Sequence, residues 1–403
     1  MNNLLQNNHQ PDGSFTYEDC YFALSQYKEK IGHTPFFISG WDVDSSVLLP
    51  HLIVKQTMPL IEQNINKYYL VDDDIGQKTV SEYFWNQLEI YVPPKQIMIG
   101  SSATSLLCLA LLSLVSDTEN QALVLEPSYY SVHDTFNLIR CNFQTICAFI
   151  PQFTYDYDRI EHIVQDEKIG VIVVTDPFFG SGIPLSSEGY KRLIAIANRY
   201  HCTLVIDMAR MGLLWNAKDE PILGERFSLI RRAEQYVVVY SPCKKVFANG
   251  TKVGILLSSS NVMERLQIYS DSVLGSVSAS QAAFLNILLS DQSRHYISRQ
   301  MTANILLAKK CYNILYALLH QSDCRLIQPQ MGHYALVSCS ARGMSEWDVF
   351  LKLLHEAGVY TLPMGLYGYS DRSFYNFRVN LLAELEGVVG GMECIMATLK
   401  NIG

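Results

Sequence analysis

No apolar run in this chain approaches the ~20 residues that a membrane-spanning helix requires. The longest, residues 106–115, reads instead as a buried helix that follows a glycine turn. No basic run or tail offsets the net charge of −8, which excludes general nucleic-acid binding and leaves an ordinary solubility charge. The ten cysteines are scattered from Cys20 to Cys394 without a C-x-x-C pair or a regular His/Cys spacing. Neither a metal site nor a disulfide framework is therefore expected, and the pattern reads as reduced thiols in a cytoplasmic protein. The opening MNNLLQNNHQPDG lacks both the basic region and the apolar core of a signal peptide. Internal repeats, low-complexity tracts and flexible linkers are lacking as well.

What is present is a core. With 403 residues, 49% hydrophobic and 17% charged, the chain can build one large domain and a smaller one. A helix is expected over residues 17–31, and mostly helical sequence over 49–91. Apolar runs of strand length then alternate with helical stretches, at 97–99, 122–126, 171–175, 203–207, 236–241 and 254–257. That alternation predicts an α/β fold with a mainly parallel sheet sandwiched by helices. From about residue 290 a long helix leads into strands at 334–338 and 377–381, which reads as a smaller α+β domain. In parallel sheets ligands collect at the carboxyl ends of the strands. That edge selects residues 100–102, 127–130, 176–182, 207–210 and 241–244.

The sharpest chemical signal is Lys244 in SPCKKVFANGTKVG, residues 241–254. A lysine at the end of a buried strand, followed by small residues and a second cation, can form a Schiff base to an aldehyde cofactor whose phosphate lies nearby. The competing reading is a solvated loop charge. Gly250 and Gly254 allow close backbone approach on either side of Lys252. Asp207 ends the run LVID, where a buried carboxylate needs a partner; a protonated ring nitrogen would serve, as would a role as a helix N-cap. In GSSATS, residues 100–105, a small-residue turn opens an apolar helix, and backbone amides with the Ser101 and Ser102 hydroxyls can form an anion site. Arg378, flanked by apolar residues in NFRVNLLA, is either a structural cation or a carboxylate anchor.

These segments together resemble the fold-type I aminotransferases that use pyridoxal 5'-phosphate. The lysine segment is similar to that family's S-x-S-K-x-F-x-x-x-G-x-R-x-G: Ser241, Lys244, Gly250, Lys252 and Gly254 fall on its positions and Phe247 one residue past its phenylalanine, with Cys243 for the second serine and Lys252 for the arginine. DPFFGSG at 176–182 is similar to N-P-x-N-P-T-G, and Phe179 precedes Asp207 by 28 residues, the family's usual interval. GVYTLPMGLYG at 358–368 and the strand of Arg378 resemble the family's C-terminal motifs. The resemblance runs from about Phe36 to Leu382.

The resemblance implies a sheet of the seven-stranded type in a cofactor-binding large domain over residues 56–288. Residues 1–55 would contribute to the small domain, completed by 289–403. It implies that Lys244 holds the cofactor and moves the substrate's α-proton, and that Asp207 keeps the ring nitrogen protonated. Ser101, Ser102, Ala103, Ser241 and Lys252 would form the phosphate cup. Tyr129 would stack on the ring, with Tyr130 as the competing choice. Tyr69, or Tyr68, would reach the neighbouring subunit's phosphate site in a homodimer. Arg378 would grip the substrate carboxylate, with Gly40, Trp41 and Asp42 on the substrate side.

Two positions depart from the family. Phe179 stands where an asparagine donates to the cofactor's phenolic oxygen, and Arg210 where a tyrosine shares that duty. The expected activity is aminotransfer on an α-amino acid. The departures favour, as an alternative, elimination, replacement, cyclisation or oxidation of a specialised amino acid. A non-catalytic binding module, as in regulators that carry such a domain behind a DNA-binding one, is disfavoured because the residues before Phe36 are not basic.

Overall fold

The computed structural model describes residues 15–47, 51–66, 73–115, 121–216, 220–320, 322–369, 371 and 373–400. The chain divides into two compact units: Met1–Ser46 with Leu307–Gln328 and His333–Gly403, and Val47–Leu306 with Pro329–Gly332. After the helix Tyr17–Ile31 and strand β1 (Phe36–Phe37), the chain enters the second, larger unit. Its strands are β2 (Ile97–Gly100), β3 (Gln121–Glu126), β4 (Phe143–Cys147), β5 (Ile169–Thr175), β6 (Thr203–Met208), β7 (Tyr236–Tyr240) and β8 (Gly254–Ser258).

They form one seven-stranded sheet in the order β2-β8-β7-β6-β5-β3-β4. Neighbours run parallel except β8, which is antiparallel to both β2 and β7. The composition explains the burial. Strands such as VVV in β7 and VIVV in β5 are β-branched and buried along their length, as a sheet covered on both faces requires. The apolar helix Ala103–Val115 lies against Val124, Val173, Val205, Val237 and Leu256. Each fully buried side chain of this kind contributes about 1.5–3 kcal/mol. β4 is an edge strand with only one of its five residues buried, so FQTIC carries no apolar run by which to predict it.

In the smaller unit, β9 (Cys324–Ile327), β10 (Tyr334–Ser340) and β12 (Phe374–Asn380) form an antiparallel sheet in the order β12-β10-β9, and β1 pairs in parallel with β11 (Val359–Tyr360). The helix Tyr17–Ile31 starts in a capping box between Thr16 and Asp19 and stops at Gly32, whose φ of +76° lies in the left-handed region that favours a residue without a Cβ. Here the cysteine expectation needs correction. Cys324 and Cys339 face each other across the β9–β10 ladder and are joined as a disulfide. They lie 15 residues apart with no recognisable spacing, so only strand pairing could bring them together. Among the described residues the other eight cysteines form no disulfide.

Among the described residues no helix is long and apolar enough to cross a membrane, and no group of three or more His, Cys, Asp or Glu side chains could hold a metal ion.

Candidate active site

The carboxyl ends of β3, β5, β6 and β7 deliver Tyr129, Phe179, Asp207 and Lys244 to one edge of the sheet. Because β8 runs antiparallel, its first residue reaches that same edge, with Gly254 opposite Gly100. The backbone there is so close that a Cβ at Gly254 would stand 2.6 Å from both Ser102 C and Ala103 N. Lys252 and the start of the helix Ala103–Val115 are thereby brought together. Ser102 Oγ accepts from Ser105 N at 2.9 Å, and the Ser101, Ser102 and Ser105 hydroxyls form a cluster 3.0–3.2 Å apart. Lys252 adopts φ +48°, the left-handed region that most side chains avoid. Gly250 plays no such part. A Cβ there would meet nothing within 4 Å, so the expected close approach rests on Gly254 alone.

Lys244 lies in the four-residue helix Pro242–Lys245, its amide donating to Ser241 O at 3.2 Å. Its Nζ stands over the Tyr129 ring, 5.8 Å from the centroid. Asp207 is 7% exposed and accepts from Ala209 N at 2.9 Å. Burial pushes its carboxyl above the ordinary range, against the opposing pull of the Lys244 cation, the Ala209 amide and the Arg210 cation. A buried carboxyl in that condition fits a further N–H cation, such as a protonated pyridine nitrogen. Cys243, in place of a serine, is buried with its thiol pushed up to about 11, so it remains neutral. Lys245 points elsewhere, its stem against Gly212 and its Nζ 3.4 Å from Tyr83 Oη.

An aromatic wall completes this edge. Tyr129 packs 4.4 Å from Tyr130 and 5.6 Å from Phe179, centroid to centroid, and its hydroxyl donates to that of Tyr130 at 3.2 Å. Phe179 is buried, and its loop is anchored from behind by Asp176. That carboxylate accepts from Leu185 N at 2.9 Å and Tyr190 Oη at 2.5 Å, with Arg226 Nη1 3.7 Å away.

In the smaller unit Arg378 is fully buried on β12, opposite Leu336 of β10. Its Nε and Nη2 donate to Ser39 O at 3.2 and 3.1 Å. Gly40 O accepts from Tyr334 Oη and Asn380 Nδ2, and Trp41 stacks on the guanidinium. Arg378, Trp41 and Gly40 thus form one group. Tyr68 and Tyr69 lie outside the described residues.

Some participants were not legible in the sequence. Gln281 Nε2 donates to the carbonyls of Ser101 and Lys252 at 3.0 and 3.2 Å, tying the serine turn to the Lys252 segment. The spacing Ser278–Gln281 signals a capping box but not this longer reach. Thr104 hydrogen-bonds Tyr129, and Arg226 partners Asp176; neither follows a motif.

A family model for aminotransferase class I and II matches residues 45–387. No curated protein matches the chain at a significant level. Among solved structures it is similar to an aspartate aminotransferase double mutant from Thermus thermophilus, with TM-score 0.81, 17% identity and 96% of each chain covered. A probable N-succinyldiaminopimelate aminotransferase, also from Thermus thermophilus, gives TM-score 0.81 at 15% identity, over 95% of this chain and 99% of that one. YbdL from Escherichia coli, identified as having a methionine aminotransferase function, gives 0.79 at 14% over 97% and 99%. At these identities the structures establish the fold.

Proposed function

The chain belongs to the class I and II aminotransferases, enzymes that use pyridoxal 5'-phosphate, and from that premise we propose that it transfers the amino group of an α-amino acid using Lys244, Asp207 and Arg378. The observation that carries this reading is Lys244 Nζ over the Tyr129 ring, at the same sheet edge as the buried carboxyl of Asp207. When bound, the cofactor's ring withdraws electrons from the substrate Cα and makes its proton acidic.

The chain's own residues do the rest. Lys244 Nζ holds the cofactor and moves the α-proton as base and acid. Asp207 holds the proton on the ring nitrogen, and burial keeps water from competing for it. The amides around Ser101, Ser102 and Ala103, the Ser241 hydroxyl and the Lys252 cation bind the phosphate. Tyr129 fixes the ring plane. Arg378 binds the substrate carboxylate, with Gly40 and Trp41 beside it. Tyr69, or Tyr68, of a second copy would complete the phosphate site in a homodimer, and the enzyme works in the cytoplasm.

A second reading has its own observation. Phe179 buries a ring where a donor to the phenolic oxygen is usual, and Arg210 brings a permanent cation near Asp207. Both favour a specialised reaction such as elimination, replacement, cyclisation or oxidation. Borohydride reduction of the holoenzyme followed by peptide mass analysis tests the common core: an adduct on Lys244 is expected, and its absence defeats both readings. A panel of amino acids with 2-oxoglutarate or pyruvate then separates them, since ready amino exchange with common pairs removes the specialised one.

A further inference from the structure

The guanidinium of Arg378 lies in the corner of two rings whose planes are inclined at 79°, its Cζ 3.7 Å from the centroid of Trp41 and 4.4 Å from that of Tyr334. One edge is fixed as well, because Nε and Nη2 both donate to Ser39 O. The segment that delivers Trp41 is clamped residue by residue. Ser39 Oγ donates to Arg378 O at 2.5 Å, Tyr334 Oη and Asn380 Nδ2 donate to Gly40 O at 3.3 and 3.2 Å, and Asn380 Nδ2 donates to Asp42 O at 2.6 Å. Carbonyls on both sides of residue 41 are thus held by the sheet that carries Arg378. A ring needed only to meet a variable substrate side chain requires no such scaffold. A ring that must stay on one guanidinium face does.

We propose that Trp41 is a positioning residue for Arg378. It fixes the guanidinium plane so that the Nη1–Nη2 end, rather than the edge given to Ser39, meets the substrate carboxylate. This rests on the reading that Arg378 binds that carboxylate. Trp41 acts through Arg378 and makes no hydrogen bond to the substrate.

The test titrates holoenzyme with the L-amino acid, chosen from the common twenty, that most perturbs the cofactor's absorbance, and with the amide of that same amino acid. For Trp41→Leu the apparent Kd and KM for the acid are expected to rise roughly tenfold, with the loss falling on KM rather than kcat. Trp41→Phe, which keeps a ring, should recover most of it. Arg378→Met should weaken acid binding by roughly a hundredfold. Neither W41L nor R378M should affect the amide, which lacks the carboxylate. If R378M leaves acid binding intact, or no amino acid perturbs the wild-type absorbance, the reading of Arg378 itself fails. If R378M weakens the acid while W41L does not, or W41L weakens acid and amide alike, Arg378 stands and the role given to Trp41 is overturned. Circular dichroism confirms that W41L and W41F are folded.

Discussion

A Cβ at Gly254 would stand 2.6 Å from the amide nitrogen of Ala103, closer than side-chain carbons approach backbone. The contact joins the start of β8 to the first turn of the helix after β2, and only the antiparallel course of β8 makes it possible. Gly254→Ala must therefore push β8 and that helix apart, and with them the two halves of the proposed phosphate cup. Cofactor affinity is expected to fall at least tenfold, read by equilibrium dialysis. Gly250→Ala, in open space, should change stability by less than ~0.5 kcal/mol.

Asp176 and Arg226 form a buried pair with side chains 0% and 5% exposed. Removing the cation leaves an uncompensated carboxylate behind the loop of Phe179. Arg226→Met is expected to cost about 3–5 kcal/mol in urea unfolding. The double variant with Asp176→Asn should be more stable than R226M alone. Equal or greater loss in the double would contradict the pairing.

Phe179 is 3% exposed, packed on Tyr129. Phe179→Asn replaces buried apolar volume with an amide and should destabilise the cofactor-free protein by about 2–4 kcal/mol. In the holoenzyme the amide gains a phenolic oxygen to donate to, which favours that oxygen's ionised form. The pH at which bound cofactor changes absorbance should accordingly drop, and an unchanged or raised midpoint would count against Phe179's assigned place.

Burial pushes the Glu346 carboxyl from 4.5 to about 7, opposed by the Gly365 amide that donates to Oε1 at 2.8 Å. Between those values the folded protein holds a proton that the unfolded chain has released, so stability falls as pH rises through the window. The loss by pH 8 is about 3 kcal/mol. Glu346→Gln keeps the acceptor for Gly365 and removes the titration. Its melting temperature should change less than the wild type's between pH 5 and 8.

The legible parts of this protein are those written in contiguous residues. β-Branched runs announced β5, β6 and β7 because strands covered on both faces must be apolar throughout. The helix over residues 17–31 was expected and is found, and small-residue turns pointed to the ligand edge. β4 escaped because an edge strand can be half polar, and the Cys324–Cys339 pair because strand register, not spacing, selects partners.

By itself the sequence determined the α/β class and the family resemblance, and it singled out Lys244, Asp207 and Arg378 as candidates, since these reside in local patterns and short motifs. Tertiary structure alone decided that Gly254 rather than Gly250 makes the close approach, that Gln281 ties the serine turn to the Lys252 segment, that Arg226 answers Asp176 and that Trp41 covers Arg378. The physical reason is range. Strand and helix propensities act over a few neighbours, whereas packing, charge compensation and ring stacking depend on distances that only the folded chain sets.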